Sequence, residues 1–218
     1  MRKYGVLTLL LISLTSWGQG WQPQQGESGV MLWTQSHPPG PYLALRLEMR
    51  VRAAPSALLA VLRDTSRHQE WLPKSREVRV LATSGPDDEL VYTRLESPWP
   101  VQDRELITRS HVSRRADCGL ELKVWAEPDA LRIRPGLVRI RDSSGRWQAL
   151  PQGDGTTLIR LETYTNPGNN LPGWLVNPIA IKAALESFQA IRLLMEAQPK
   201  PPSRQSLLGS ATACPVTP

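Results

Sequence analysis

Residues 166–198 read NPGNNLPGWLVNPIAIKAALESFQAIRLLMEAQ, and this stretch decides the fold class. Asn177-Pro178 is a helix start: Asn can cap, and Pro is tolerated in a first turn, where its missing N–H is no loss. Ile181, Ala184, Leu185, Phe188, Ile191 and Met195 then recur at spacings of three and four. They form one apolar stripe, with Lys182, Glu186 and Gln189 off it. The pattern predicts a helix over 177–198, ended by Pro199. One long one-sided helix must bury its stripe against something, and the chain before it supplies strands.

Upstream, the period is two. Residues 46–52 alternate strictly (Arg46, Glu48, Arg50 and Arg52 against Leu47, Met49 and Val51), which predicts a half-buried strand with its charged face in solvent. The same alternation predicts strands over 76–82, 90–96, 104–112, 120–126, 146–150 and 157–164, with a shorter one at 138–141. Gly153-Asp154-Gly155 and Gly85-Pro86-Asp87-Asp88 are hairpin turns between neighbouring runs. Only 57–64, introduced by Ala54-Pro55-Ser56, breaks the pattern with a short helical period. Strands, a short helix, a long antiparallel run and a terminal helix make an α+β domain.

The chain has 218 residues, 40% hydrophobic and 21% charged, which suits one folded domain with appendages. Its formal charge of +6 is concentrated at the ends. Setting aside Arg2, Lys3, Lys200 and Arg204 leaves 22 basic against 20 acidic residues, a net +2. A near-neutral body lacks the basic footprint that nucleic-acid binding needs. Met1-Arg2-Lys3, a short apolar run over 6–14 and small residues to Gly20 read as a cleaved signal peptide over 1–20, hence a periplasmic or secreted protein. The run is too short to span a bilayer. The domain proper is 21–198, and the proline-rich residues 199–218 are expected to be a disordered tail. Two cysteines, Cys118 and Cys214, could pair in an exported chain or stand apart.

Four segments carry a family resemblance: Asp64 followed by Trp71; Pro98-Trp99-Pro100-Val101-Gln102-Asp103-Arg104-Glu105; Gly145-Arg146-Trp147; and the run from Asn166 to Asn177. In that order they resemble the START (steroidogenic-acute-regulatory-related lipid transfer) domains over nearly all of the body. The family usually has Asp where Asn166 stands and Gly where Asn169 stands. The resemblance implies a helix-grip fold, a curved antiparallel sheet wrapped around the C-terminal helix with an internal hydrophobic cavity. It also implies that loops or that helix move to admit a lipid.

A lipid cavity needs apolar walls and a few polar groups. Arg104, Leu106, Thr108 and Ser110 share one strand face; Tyr92, Arg94 and Glu96 share another. If both faces point inward, Arg94 or Arg104 is a polar anchor, held by Glu96 when no ligand is bound, because a buried Arg requires a partner. Tyr164 joins this polar set. Trp147 reads as a core anchor or wall, and Leu185, Phe188 and Ile191 as the roof. Trp99 and Trp174, beside prolines in loops, read as gate or membrane-facing residues. His37, His68 and His111 have no zinc spacing, and no nucleophile elbow or phosphate loop occurs, so neither metal, cofactor nor catalytic residue is expected. The expected function is to bind, carry or sequester a lipid or other hydrophobic small molecule, with transient membrane contact. The alternatives are a helix-grip enzyme of aromatase/cyclase type and a protein-interaction module with a filled core.

Overall fold

The computed structural model describes residues 20–37 and 39–198. The leader, the tail and Cys214 lie outside these, so the expectations placed on them, the Cys118–Cys214 pairing included, do too. The elements in chain order are β1 (Gln22–Glu27), β2 (Val30–Ser36), β3 (Leu43–Val51), α1 (Pro55–Arg63), a 3₁₀ turn (Thr65–Arg67), α2 (His68–Trp71), β4 (Ser75–Thr83), β5 (Asp88–Leu95), β6 (Arg104–Arg114), β7 (Leu120–Ala126), β8 (Val138–Arg139), β9 (Asp142–Pro151), β10 (Thr157–Asn166) and α3 (Gly173–Ala197).

All ten strands join one sheet in the order β1-β2-β3-β10-β9-β7-β6-β5-β4. Every neighbour pair on that path is antiparallel. The short β8 lies off it and runs parallel to the start of β6, Arg104 opposite Val138. The Gly-Asp-Gly turn joins β9 to β10 as the sequence predicts. Strands β1 and β2 have no counterpart in the sequence reading. β1 is QPQQGE, exposed at every position, so no hydrophobic alternation marks it.

The register assigns faces. Leu47 of β3, Leu161 of β10 and Trp147 of β9 stand in one row, and that row continues to Leu122 of β7 and Val112 of β6. This inner face receives α3. Leu45, Leu47, Met49 and Val51 pack there with Ile159, Ala149, Leu185, Phe188, Ile191 and Met195, and α1 adds Leu58 and Val61. Phe188 is fully buried and stacks on Trp147, ring centroids 5.5 Å apart. The outer face carries charges paired across strands: Arg46 to Glu162 at 2.7 Å and Arg160 to Glu48 at 2.6 Å, as expected for a solvated face.

Helix α3 starts four residues before Asn177. Asn177 does not cap it. Its Oδ1 accepts from the Leu43 amide (3.1 Å) and its Nδ2 donates to the Pro41 carbonyl (3.1 Å), tying the helix to the start of β3. Gly173 permits that approach, because a Cβ there would stand 2.4 Å from the Pro41 carbonyl oxygen. Pro178 is therefore inside the helix rather than at its first turn.

Candidate functional site

The inner face divides in two. Towards β3, β10 and β9 it is closed by α3. Towards β4–β7 it is a trough whose floor is only half-buried: Val78 and Val80 on β4, Val91 and Thr93 on β5, Leu106, Thr108 and Ser110 on β6, Val124 and Ala126 on β7. Val80 is 42% exposed. Among the described residues the hydroxyls of Thr93, Thr108 and Ser110 have no hydrogen-bond partner, their strands being paired through the backbone. Beneath α1, between Leu58, Leu62, Val112, Leu122 and Trp147, a void of only about 10 Å³ remains, so the packed half has no room for a ligand. Two larger clefts, about 430 and 580 Å³, indent the outer face and the end of the sheet near Tyr164. The charged side chains lining the first are already committed: Glu162 to Arg46, and Arg146 and Lys123 to Glu121.

Arg104 stands at one end of the trough. It is 5% exposed, yet among the described residues it forms no ion pair. Its Nε donates to the Pro167 carbonyl (3.4 Å), and its Nη1 to the Ser97 hydroxyl (3.2 Å) and the Gln102 carbonyl. Nη2 is buried without a partner. Burial pushes the guanidinium pKa down from its ordinary value, with Tyr42 and Asp103 opposing the shift. Asp103 does not pair with it. Its Oδ2 takes Arg94 Nη2 (2.7 Å) and its Oδ1 the Ser97 amide (3.0 Å), and these bonds hold its carboxyl below the usual range. The expected Glu96 partner is bound elsewhere, to Arg76 at 2.6 Å. Arg104 is therefore a buried cation met by neutral oxygens, where strands β5 and β6 meet the segment leading into α3.

Two bare aromatics lie on the segments around it: Trp99, in the loop between β5 and β6, is 92% exposed, and Trp174, in the first turn of α3 rather than in the expected loop, is 78% exposed. The turn between β10 and α3 explains the two departures from the family pattern. Asn166 Oδ1 accepts the Gly168 amide (3.0 Å), as an aspartate could, and Asn169 takes φ 57°, the left-handed region that Asn tolerates best after Gly.

Three expectations need correction. Tyr92 and Arg94 lie on the outer face, opposite the trough. Tyr92 is 1% exposed there because residues 127–141 cover it. Its hydroxyl donates to Glu105 (3.2 Å), and Arg134 lies 4.4 Å over its ring. Arg139 holds the same covering segment through Glu105 (2.8 Å) and three backbone carbonyls. Tyr164 is also outside, stacked on His37 at 3.9 Å and packed on Tyr42. Phe188 and Ile191, with Leu185 and Trp147 beside them, belong to the packed core rather than to the roof of a space. Arg104, Leu106 and Thr108 do come together on the trough floor. The sequence reading missed Arg63 and Glu89, which close its other end: Arg63 Nε lies 3.3 Å from Glu89 Oε1. Their signal was weak, one charge at a helix end and one at a strand start. A further buried donor without a partner, Trp71 Nε1, comes from α2.

His68 Nδ1 lies 2.6 Å from the Ser75 hydroxyl, which resembles a nucleophile–base pair. However, that hydroxyl donates to the Leu72 carbonyl (2.8 Å), so His68 donates to it and cannot act as its base. No cluster of metal-binding side chains occurs among the described residues.

Comparison with known proteins bears on the fold. An uncharacterised protein of Pseudomonas aeruginosa is 24% identical over 199 residues, 88% of this chain and 98% of its own length. The human phosphatidylcholine transfer protein is 21% identical over 131 residues, 57% of this chain and 59% of its own. Among solved structures, a STAR-related lipid transfer protein from Xanthomonas axonopodis superimposes with a TM-score of 0.74 at 26% identity, covering 81% of this chain and 98% of that one. The human StAR-related lipid transfer protein 5 gives 0.70 at 14% identity, over 81% and 86%. The START domain model matches residues 8–199, and with an antiparallel sheet gripping a C-terminal helix the chain belongs to the START domain family.

Proposed function

We propose that this protein carries or sequesters a lipid with an anionic group. The acyl portion lies on the trough floor and the anion meets Arg104, and no chemistry is done on the lipid. The observation that carries this reading is the Arg104 guanidinium, nine-tenths buried with Nη2 unmatched. A buried cation without a counter-charge is costly, and an incoming carboxylate or phosphate would supply both charge and acceptors. The apolar floor of Val78, Val91, Leu106 and Val124 suits hydrocarbon. The names of the bacterial and human relatives, lipid transfer proteins, point the same way. Trp99 and Trp174 flank the Arg104 end and would rest at a bilayer interface during exchange. Residues 1–20 would be removed on export, so carriage takes place outside the cytoplasm; N-terminal sequencing of exported protein should begin near Gln19 or Trp21 and not at Met1.

The test is Arg104→Met, which keeps the volume and removes the charge. Binding of palmitate, measured by displacement of a fluorescent fatty acid, should weaken at least tenfold. Binding of the neutral methyl ester should change little. Equal affinity of wild type and variant for palmitate overturns the assignment.

A further inference from the structure

Cys118 sits in the tight turn between β6 and β7, its amide donating to the Arg115 carbonyl (3.1 Å), and its sulfur is in a disulfide. The sequence holds one other cysteine, Cys214. We propose that Cys118 is bonded to Cys214, and that the bond draws residues 199–213 across the outer side of α1 as a strap.

The register puts both ends of the strap at the same end of the sheet. Val51 pairs with Thr157 and Thr157 with Pro151, while Leu120 pairs with Ala149. Cys118, two residues before Leu120, is therefore level with Pro151 and Val51. Glu196 accepts from the Arg52 amide, so α3 ends beside the same row. The strand order β3-β10-β9-β7 leaves three spacings between the two points, about 15 Å at about 4.8 Å per strand. Residues 199–213 reach well beyond that, even as polyproline II at about 3.1 Å per residue.

Helix α1 lies across the line between them. It begins just after Arg52, and Leu58, Leu59 and Leu62 rest over Val112, Leu120, Leu122 and Trp147. The sheet is below it and α3 beside it. Ser56 and Ala60 fall on the side turned from both, yet none of the nine residues of α1 is exposed. A half-buried outer side has a cover, and the strap is within reach of it. The helix is also weakly started: Ala54 gives it no side-chain cap, and the Thr157 hydroxyl holds the preceding turn through the Ala53 carbonyl (2.6 Å).

Forming the bond passes two electrons and two protons from the thiols to another disulfide, which is reduced to a dithiol. Oxidised glutathione serves in vitro, so the test stands apart from the export reading. In the unfolded chain the bond closes a ring of about 100 residues, but in the folded one only the tail is left to close it. The difference in closure entropy favours the folded state.

The experiment oxidises the reduced full chain with oxidised glutathione. A monomer should result, with no thiol titrating in denaturant, two after reduction, and a linked peptide pair carrying Cys118 and Cys214. Two free thiols, or a bond between chains, overturns the pairing. Cys214→Ser, outside residues 20–198, should melt about 3–6 °C below the oxidised wild type. Its hydrogen exchange in residues 57–63 should quicken about tenfold more than in β10. Ending the chain at Gln198 should reproduce both effects. Equal melting of Cys214→Ser and oxidised wild type overturns the strap. So does a bond that forms while exchange in α1 changes only as much as in β10.

Discussion

The two halves of α3 rest on the same sheet in opposite ways. From Leu185 onward, Leu185, Phe188, Ile191 and Met195 are buried and interlock with β3, β9, β10 and α1. From Trp174 to Ala184 no residue is buried, although Ile181 and Ala184 touch the edge of the core. The apolar stripe is continuous in sequence, so the difference is made by what lies opposite. The second half meets large aliphatic side chains and Trp147. The first half is held at the end of the sheet, where Asn177 bonds Leu43 and Pro41 and Val176 packs against Tyr42 and Tyr164, and it meets no such layer of large buried aliphatics. One helix thus anchors the core with one half and stays largely uncovered along the other.

The comparison breaks most visibly at Phe188. Phe188→Ala deletes a fully buried ring from a packed site and should cost about 3–5 kcal/mol in denaturant unfolding. A loss near 1 kcal/mol would mean that this half, too, is largely uncovered. Ile181→Ala, in the first half, should cost about 1–2 kcal/mol, because its side chain is only partly buried, against the edge of the core. A cost equal to that of Phe188→Ala would erase the distinction. Trp174→Ala should change stability by less than about 0.5 kcal/mol, as surface substitutions do, while co-sedimentation with anionic vesicles falls severalfold. Unchanged sedimentation would remove Trp174 from membrane contact.

The smallest effect is local and pH-dependent. Asp103 has its carboxyl pKa held below the unfolded value of 3.8, first by Arg94 and then by the Ser97 amide. The sign follows from linkage: its stabilisation is complete above the unfolded value and is lost as pH falls through the lower folded one. Hydrogen exchange in residues 97–103 should therefore rise in acid before exchange in β3 and β10 does. Simultaneous opening would mean that the mouth and the core are one unit.

What could be read from sequence was periodicity. Alternation marked the strands from β3 onward, and it grouped Arg104 with Leu106 and Thr108 correctly. It could not say which face of a strand is inside. Tyr92 and Arg94 looked as inward as Arg104, because a buried tyrosine is expected in a core. The outer face has its own buried patch, made by residues 127–141 folding back and by Glu105–Arg139 pinning them. That cover is non-local and leaves no period in β5. Tyr164 was misplaced for the same reason, its cover being His37 and Tyr42, more than a hundred residues away. The position of α3 was clear but its start was not. Asn177-Pro178 has the chemistry of a cap, and only the bonds to the Leu43 amide and the Pro41 carbonyl reveal that Asn177 is spent on the start of β3 instead.

The ties on α3 also decide what can open. Near its start Asn177 holds the Leu43 amide and the Pro41 carbonyl, and Tyr42 donates to the Leu171 carbonyl (2.9 Å). Near its end Arg192 donates to the Ser28 carbonyl (2.7 Å), and Glu196 accepts from the Arg52 amide (3.0 Å). The helix is a beam clamped at both supports, and lifting it would break both clamps and strip the core beneath its second half. Among the described residues the stretch around Trp99 is tied only to its own base, Asp103 to the Ser97 amide and Arg104 to the Ser97 hydroxyl and the Gln102 carbonyl. In a doorway built this way the helix is the lintel, fixed at both posts.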